Sequence, residues 1–366
     1  MKVALVHDYL REYGGAERVL EVLHEIWPEA PIYTAFYHPR SAAGKAFAKV
    51  KIIQSWLAPL IKYKNLYSPL RFLAPLIWKS FDLSDYDLVI ASSSWYITRG
   101  FKVGDKTKVI CYCHTPPRYL YGYPTSIEWQ RYWPLRVYGT IVNHFLRLFD
   151  WQTAQKVDQF VANSKNVASR IKKVYRRDSI VVYPPVEVEK IIKATKNLKP
   201  KDYYLIASRV VGAKGIELAV CAAKKAKVKL KIIGEPAGLR WFGQNLKRLK
   251  GKGVELLGRV SDEKLYSSLG QCRAFLALAT DEDFGVTPVE AMAAGRPVIA
   301  FRGGGYLESV VEGKTGVFFD EPKATTLAKI LKEFKQERFN PEDCRKQAEK
   351  FTKEKFKIRI KEVVDA

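Results

Sequence analysis

Each half of this chain begins with the same local pattern: a short apolar strand, a glycine-containing turn and a helix. In the first half, KVALVH (2–7) precedes Gly14, Gly15 and a helix with apolar residues at helical spacing. In the second half, YYLIAS (203–208) precedes RVVGAKG and a helix from about 216 to 225. Strand and helix patterns continue to alternate in both halves. This alternation predicts an α/β fold with a parallel sheet in each half.

The length of 366 residues fits two or three domains, at roughly 150 residues each. Residues 187–200 are charged and poor in aromatic side chains, which makes them the best candidate for a linker. We therefore predict a Rossmann-like domain over 1–186 and a second one over 201–345. A long basic helix over 346–366 follows, and it could pack back on the first domain.

The stretch from Ala279 to Gly305 has the outline of a binding site. Glu282 lies in a loop, and Glu290 is predicted at the start of a small-residue helix that precedes a strand and three glycines. Free N–H groups at a helix start attract phosphate, and carboxylates accept hydrogen bonds from sugar hydroxyls. The alternative is an acidic loop before an ordinary helix, because acidic residues favour helix N-termini.

A second candidate site lies at the end of a predicted strand that begins at residue 108 and ends at His114. In an open α/β sheet, ligands bind beyond the carboxyl ends of the strands. We therefore expect His114 to be exposed there, on a loop stiffened by Pro116 and Pro117; the alternative is a structural histidine. Cys111 and Cys113 lie close by, but strand cysteines are usually core residues and a second pair of zinc ligands is missing from the pattern.

The net charge of the chain indicates which kinds of partner it could bind. A net charge of +24 attracts polyanions such as nucleic acid, anionic lipid or nucleotide phosphates. Residues 49–81 mix aromatic and basic side chains, which suits either a membrane interface or a helical excursion packed on the domain. No nucleic-acid-binding motif is recognisable. The start lacks a signal-peptide pattern and five scattered cysteines suggest reducing conditions, so we expect a cytoplasmic location or a membrane surface.

Several of these motifs, taken in order, resemble those of family-four retaining glycosyltransferases. The motifs are GGAER (14–18), HTPPRYL (114–120), NS (163–164), YPPV (183–186), SRVVGAKG (208–215), LGRVSD (257–262) and the block at 281–316. The block is the most specific part, and HTPPRYL and FRGGG look most like O-antigen-type mannosyltransferases. The resemblance implies the GT-B fold, with two Rossmann-like domains facing across an interdomain cleft.

The resemblance also implies roles for individual side chains. Arg209 and Lys214 match the pair that binds the diphosphate, where fixed cations stabilise the leaving group. Glu290 matches the residue that grips the ribose hydroxyls. Glu282 matches the carboxylate that holds the transferred sugar.

Backbone groups are implied as well. The backbone of Phe284, Gly285 and Val286 would bind sugar and phosphate, and Gly14 and Gly15 match the loop that closes over the phosphates.

The remaining implied positions concern the acceptor and the base. His114 matches the active-site histidine near the sugar and the acceptor. Val260 and Asp262 fall where family members contact the base, and an aspartate there could accept from guanine.

The reaction implied is transfer of a hexose, mannose from GDP-mannose, to a hydroxyl of a lipid-linked glycan or glycolipid. The leaving phosphate would help to deprotonate the acceptor on the same face. The resemblance implies no metal and no other cofactor, and an acceptor at the inner face of an anionic cell membrane. The alternatives are a UDP-sugar transferase, an epimerase or a basic nucleic-acid-binding protein.

Overall fold

The computed structural model describes residues 1–125, 133–236 and 251–366. The chain divides into two compact units. Unit 1 holds Met1–Tyr123, residues 133–185 and Phe356–Ala366, and unit 2 holds Val186–Lys355 with residues 124–125. Each unit contains a parallel sheet with helices between its strands. The predicted α/β fold with two Rossmann-like domains is confirmed.

The described part of unit 1 contains a sheet of seven parallel strands. The strands are β1 (Val3–His7), β2 (Ile32–Thr34), β3 (Ile52–Gln54), β4 (Leu88–Ser93), β5 (Lys108–Cys113), β6 (Gln159–Ala162) and β7 (Ser179–Val181). Their order is β3-β2-β1-β4-β5-β6-β7, so the direction of winding reverses between β1 and β4. These two strands pair in register from Val3 with Leu88 to His7 with Ser92. The carboxyl ends at such a reversal are where α/β sheets bind ligands.

Helices connect these strands. They are α1 (Gly15–Ile26), α2 (Ala42–Ala46), α3 (Ala58–Lys62), α4 (Ala74–Lys79), α5 (Trp133–Ala154) and α6 (Lys165–Tyr175). The apolar stripe of α1 is buried at Val19, Leu20 and Leu23, as its spacing predicts. The helical pattern before Trp133 lies outside the described residues.

Residues 49–81 are packed into unit 1 and still keep an exposed aromatic side. Ile61, Ile77 and Trp78 are fully buried in the core. Trp56 and Tyr63 remain 67% and 59% exposed. The segment is therefore part of the domain core, and only some of its aromatic side chains are available to a surface partner.

The described part of unit 2 contains six parallel strands. They are β8 (Tyr204–Ala207), β9 (Leu230–Ile233), β10 (Val254–Gly258), β11 (Ala274–Ala277), β12 (Val298–Phe301) and β13 (Gly316–Phe319). The order β10-β9-β8-β11-β12-β13 places the reversal between β8 and β11. The helices are α7 (Val188–Thr195), α8 (Ile216–Ala226), α9 (Asp262–Gln271), α10 (Val286–Ala293), α11 (Tyr306–Ser309), α12 (Ala324–Glu333) and α13 (Pro341–Ala348). The last helix, α14 (Lys353–Asp365), begins at the end of unit 2 and lies mostly in unit 1.

The segment expected to be a linker is largely a helix of unit 2. Within 187–200, α7 buries Val188, Ile191 and Thr195 and packs against α9 and α10. These residues recur at helical spacing, which the surrounding charges obscure in the sequence.

The chain end expected as one helix over 346–366 contains two. Helix α13 ends at Ala348, and α14 begins at Lys353. Phe356 and Ile360 on α14 lie in the same buried cluster as Val3 and Leu5 of β1, so this helix completes the core of unit 1.

Candidate active site

The sheet reversal of unit 2 gathers several of the predicted site residues. Arg209 lies two residues beyond β8 and is exposed, and Lys214 ends a short 3-10 turn after it. Glu282 follows β11, the neighbouring strand across the reversal. Two cations and a carboxylate therefore follow the carboxyl ends of adjacent strands, which is the ligand-binding edge of an α/β sheet.

Lys214, Glu282 and Tyr306 form a partly buried polar cluster. The Lys214 Nζ lies 2.5 Å from Glu282 Oε2, and the two side chains are 26% and 13% exposed. The Tyr306 hydroxyl donates to the same carboxylate oxygen at 3.1 Å. Burial, followed by the nearby Glu282 carboxylate, raises the pKa of Tyr306 well above its ordinary value. The tyrosine therefore stays protonated and donates to Glu282 throughout the neutral range.

The glycine run after β12 holds the Glu282 loop in place. Gly305 N donates to the Glu282 carbonyl at 3.0 Å. Gly304 has φ +57°, and a Cβ there would lie 2.3 Å from that same carbonyl oxygen. At Gly285, with φ +88°, a Cβ would lie 2.7 Å from the Tyr306 ring. Both positions combine a left-handed backbone with a close approach, so only glycine fits them without strain.

Helix α10 begins earlier than the sequence interpretation placed it. Its first residue is Val286 and Gly285 is the N-cap, so Glu290 lies one turn inside the helix and is buried at 3% exposure. The prediction that Glu290 starts the helix is wrong. Phe284 is buried and packs its ring 5.2 Å from that of Phe351, which leaves its backbone as the part that could meet a ligand. The first N–H groups of α10 have no partner within the helix and can bind an anion.

Val260 and Asp262 lie further along the same edge of the sheet. Both follow β10, which is two strands from β8, or roughly 10 Å at the usual strand spacing. Val260 is half-buried, and Asp262 is the exposed first residue of α9. An acidic residue in the first turn also stabilises the helix dipole, so the position of Asp262 has a structural explanation as well.

The sheet reversal of unit 1 carries a connected chain of polar side chains. His114 Nε2 lies 2.8 Å from Ser92 Oγ, which lies 3.1 Å from His7 Nδ1. On its other side, His7 Nε2 lies 3.6 Å from Glu17 Oε1. The second oxygen of Glu17 accepts from Gly14 N at 2.8 Å. His114 is thereby linked through three side chains, those of Ser92, His7 and Glu17, to the predicted phosphate loop.

Two details of this region refine the sequence predictions. His114 was expected on an exposed loop, but it is only 9% exposed, and its backbone N–H donates to Ser93 O at 2.9 Å. That expectation is wrong because β5 lies inside the sheet and His114 continues its pairing with β4. Gly14 caps α1 in an extended conformation and Gly15 is the first helical residue.

Two protein-family models match this chain, and together they cover most of its length. The model of "Glycosyl transferases group 1" matches residues 187–351, and that of "Glycosyltransferase Family 4" matches residues 13–190. The chain belongs to the family-four glycosyltransferases. Both units are matched, so the predicted family is confirmed over most of its length.

Individual relatives of this family-four glycosyltransferase are distant. The alpha-1,3/1,6-mannosyltransferase ALG2 of Dictyostelium discoideum is 26% identical over 67% of this chain and 66% of its own length. The mouse ALG2 is 25% identical over 88% of this chain and 84% of its own. The Anabaena protein HepE, solved in complex with UDP-glucose, has a TM-score of 0.71 at 17% identity, with 100% of both chains covered. This last likeness confirms the GT-B fold.

Sequence reasoning missed three side chains that shape the site of this glycosyltransferase. Tyr306 follows the glycine run directly, and a tyrosine after three glycines was a recognisable signal. His7 and Ser92 end the paired strands β1 and β4. Both residues lie at the end of an apolar strand pattern, which could have identified them as candidate site residues. The sequence pattern does not show that they are neighbours, because that depends on the order of the strands in the sheet. Among the described residues, no group of three or more His, Cys, Asp or Glu is arranged to hold a metal ion.

Proposed function

We propose that this protein is a retaining glycosyltransferase that transfers mannose from GDP-mannose to a hydroxyl of a lipid-linked glycan or glycolipid. The observation that carries the proposal is the Lys214–Glu282–Tyr306 cluster at the sheet reversal of unit 2. A cation and a fixed carboxylate at that edge suit a phosphorylated sugar. The similarity to mannosyltransferases supports mannose as the sugar.

In the proposed reaction, unit 2 holds the donor. Arg209 and Lys214 stabilise the negative charge that grows on the diphosphate as the sugar leaves. The Lys214 ammonium has three N–H donors, so it can hold Glu282 and a phosphate oxygen together. Glu282, oriented by Tyr306, accepts from hydroxyls of the sugar.

The nucleoside part of the donor is assigned to the neighbouring positions. Glu290 accepts from the ribose hydroxyls, and the backbone at Phe284, Gly285 and Val286 donates to phosphate and sugar. Val260 and Asp262 contact the base.

On the acceptor side, His114 meets the sugar and the attacking hydroxyl, and the Gly14–Gly15 loop closes over the phosphates. The leaving phosphate takes the acceptor proton on the face from which the sugar departs. We propose that no metal or other cofactor takes part. We place the reaction at the cytoplasmic face of an anionic membrane, where a lipid-borne acceptor would lie.

The donor is tested by thermal shift and by transfer. GDP-mannose should raise the melting temperature more than GDP-glucose, UDP-glucose or ADP-glucose, because the true donor binds only the folded protein. Transfer to a lipid-linked glycan acceptor is then measured with the preferred donor, with and without chelator. Preference for a UDP-sugar, or turnover of donor to an epimer without acceptor, would overturn the proposal.

The site assignment is tested by a paired substitution. Arg209→Ala together with Lys214→Ala should abolish transfer, whereas Lys329→Ala with Lys332→Ala on α12 should leave it unchanged. The two variants lose the same charge from unit 2, so an unspecific effect of charge would lower both rates. Transfer at the wild-type rate by the first variant would contradict the assignment.

A further inference from the structure

Helix α5 has one buried face and an opposite face that is exposed. The buried face packs into unit 1 and is mixed in character: Leu146 and Phe149 are apolar, whereas Asn143, Asp150 and Thr153 are polar. The exposed face carries large apolar side chains. A helix that is already buried on one face in its own domain has no structural need for apolar side chains on the other.

The exposed apolar residues of this face form a stripe, the α5 stripe, which shares the face with the exposed polar residues His144 and Gln152. It consists of Trp133 (69% exposed), Val137 (54%), Ile141 (57%), Phe145 (66%), Leu148 (50%) and Trp151 (47%). Their spacing of three and four residues keeps them within an arc of about 120°, at 3.6 residues per turn. The helix has 22 residues, so the stripe is on the order of 30 Å long. Apolar patches of such extent mark interaction sites.

Helix α5 also contacts the segment 49–81. Arg71 Nη2 donates to Asn143 Oδ1 of α5 at 3.2 Å, and the Tyr138 hydroxyl donates to the Pro69 carbonyl. The turn anchored by these bonds carries Phe72, which is 45% exposed. The exposed Phe72 therefore belongs to a segment that contacts α5.

In the described residues of α5 and in the neighbouring segment 49–81, the charged side chains are basic except for one buried acid. Residues 30–81 contain no Asp or Glu, and the only acid of α5, Asp150, is fully buried and paired with Arg99. Arg136 and Arg147 lie on α5 along one edge of the stripe. Lys79 and Trp151 line the same surface depression. An apolar stripe with basic margins fits an anionic lipid surface, with tryptophan rings at the headgroup level.

We propose that the α5 stripe docks this protein on an anionic phospholipid bilayer. The inference deepens the proposed function, since it rests on a lipid-borne acceptor and names the surface that reaches it. A second copy of the chain fits less well, because the basic margins of two stripes would repel each other. None of the described helices is both long and apolar enough to cross a bilayer, so docking is on the surface.

The test measures vesicle binding without donor or acceptor. Full-length protein is sedimented with vesicles of phosphatidylcholine alone, or with about 30% phosphatidylglycerol, at physiological salt. The test variant is Ile141→Gln with Phe145→Gln. The matched control, Val311→Gln with Ile358→Gln, removes two exposed apolar side chains from other elements. Val137→Gln with Leu148→Gln repeats the test at other positions of the stripe if the first variant does not fold.

We expect wild type and control to bind the anionic vesicles, and the stripe variant to bind at least about tenfold more weakly. Equal binding by stripe variant and control would overturn the inference. So would a wild-type dimer that the stripe variant converts to a monomer in light scattering, because a second copy would then cover the stripe. Vesicle binding without mannosyl transfer would leave the docking surface standing and reject the proposed function, so the two can fail separately.

Discussion

Removing the Tyr306 hydroxyl provides the most direct test of how Glu282 is held. In Tyr306→Phe the ring that packs beside Gly285 is retained, and only the 3.1 Å hydrogen bond to Glu282 is lost. A hydrogen bond to a charged group contributes roughly 1.5–3 kcal/mol. If the bond orients Glu282 toward the sugar in the transition state, kcat/KM should fall roughly 10- to 100-fold, since about 1.4 kcal/mol is tenfold.

The assay compares sugar transfer with nucleotide binding. Steady-state transfer gives kcat/KM, and the inhibition constant of free GDP reports how well the nucleotide is bound. This inhibition constant should change by no more than about twofold, because Tyr306 does not contact the nucleotide in the proposed site. Tyr204→Phe is the control. The side chain of Tyr204 is also buried, and its hydroxyl donates to the Leu331 carbonyl at 2.7 Å, away from the cluster. Wild-type kcat/KM in Tyr306→Phe, or an equal loss in Tyr204→Phe, would refute the orienting role.

Three further predictions concern local structure. Gly304→Ala should lower the free energy of unfolding by at least about 2 kcal/mol in calorimetry, because strain and a backbone clash combine. Gly313 also has a positive φ, but a Cβ there would lie in open space, so Gly313→Ala should lower the free energy of unfolding by less. Equal losses of stability in the two variants would contradict this reasoning. Ser92→Ala should lower the free energy of unfolding by about 1–3 kcal/mol, because the buried ring nitrogen of His114 loses its hydrogen bond to the Ser92 hydroxyl. An unchanged melting temperature would argue against the polar chain. Native protein at pH 8 should react with a thiol reagent at Cys221, the one exposed cysteine of five, and Cys221→Ser should remove that rapid reaction.

The strand and helix patterns were sufficient to predict the fold class. The first strands of both units read as apolar runs, and each is buried within a parallel sheet. The prediction was weakest where a helix is amphipathic but short. Charged residues surround Val188 and Ile191, and the segment looked like a linker although those two side chains are buried.

The motifs at 208–215 and 281–316 predicted most of the unit 2 site. Arg209, Lys214 and Glu282 were found from the sequence, and their positions beyond β8 and β11 agree with the rule for open sheets. Their functional roles remain predictions. The ion pair between Lys214 and Glu282 was not foreseen, because separate roles had been assigned to two residues that lie 68 positions apart.

The chain of contacts from His114 to Gly14 could not be predicted in the same way. Ser92 joins two histidines that end different strands, and neither neighbour follows from spacing along the chain. The contact exists because β4 lies between β1 and β5 in the sheet. Strand order depends on tertiary packing, which local patterns do not encode.

The sequence by itself determined the alternating elements, the family and the residues that carry charge, because these depend on local propensity and on motifs of fixed spacing. Tertiary structure decided which side chains meet and which faces remain exposed. It placed Tyr306 on Glu282, buried His114, and left the α5 stripe uncovered although the opposite face of that helix is in the core. Periodicity points to the more apolar face of a helix as the buried one, but only packing against the rest of the chain determines which face of α5 is buried.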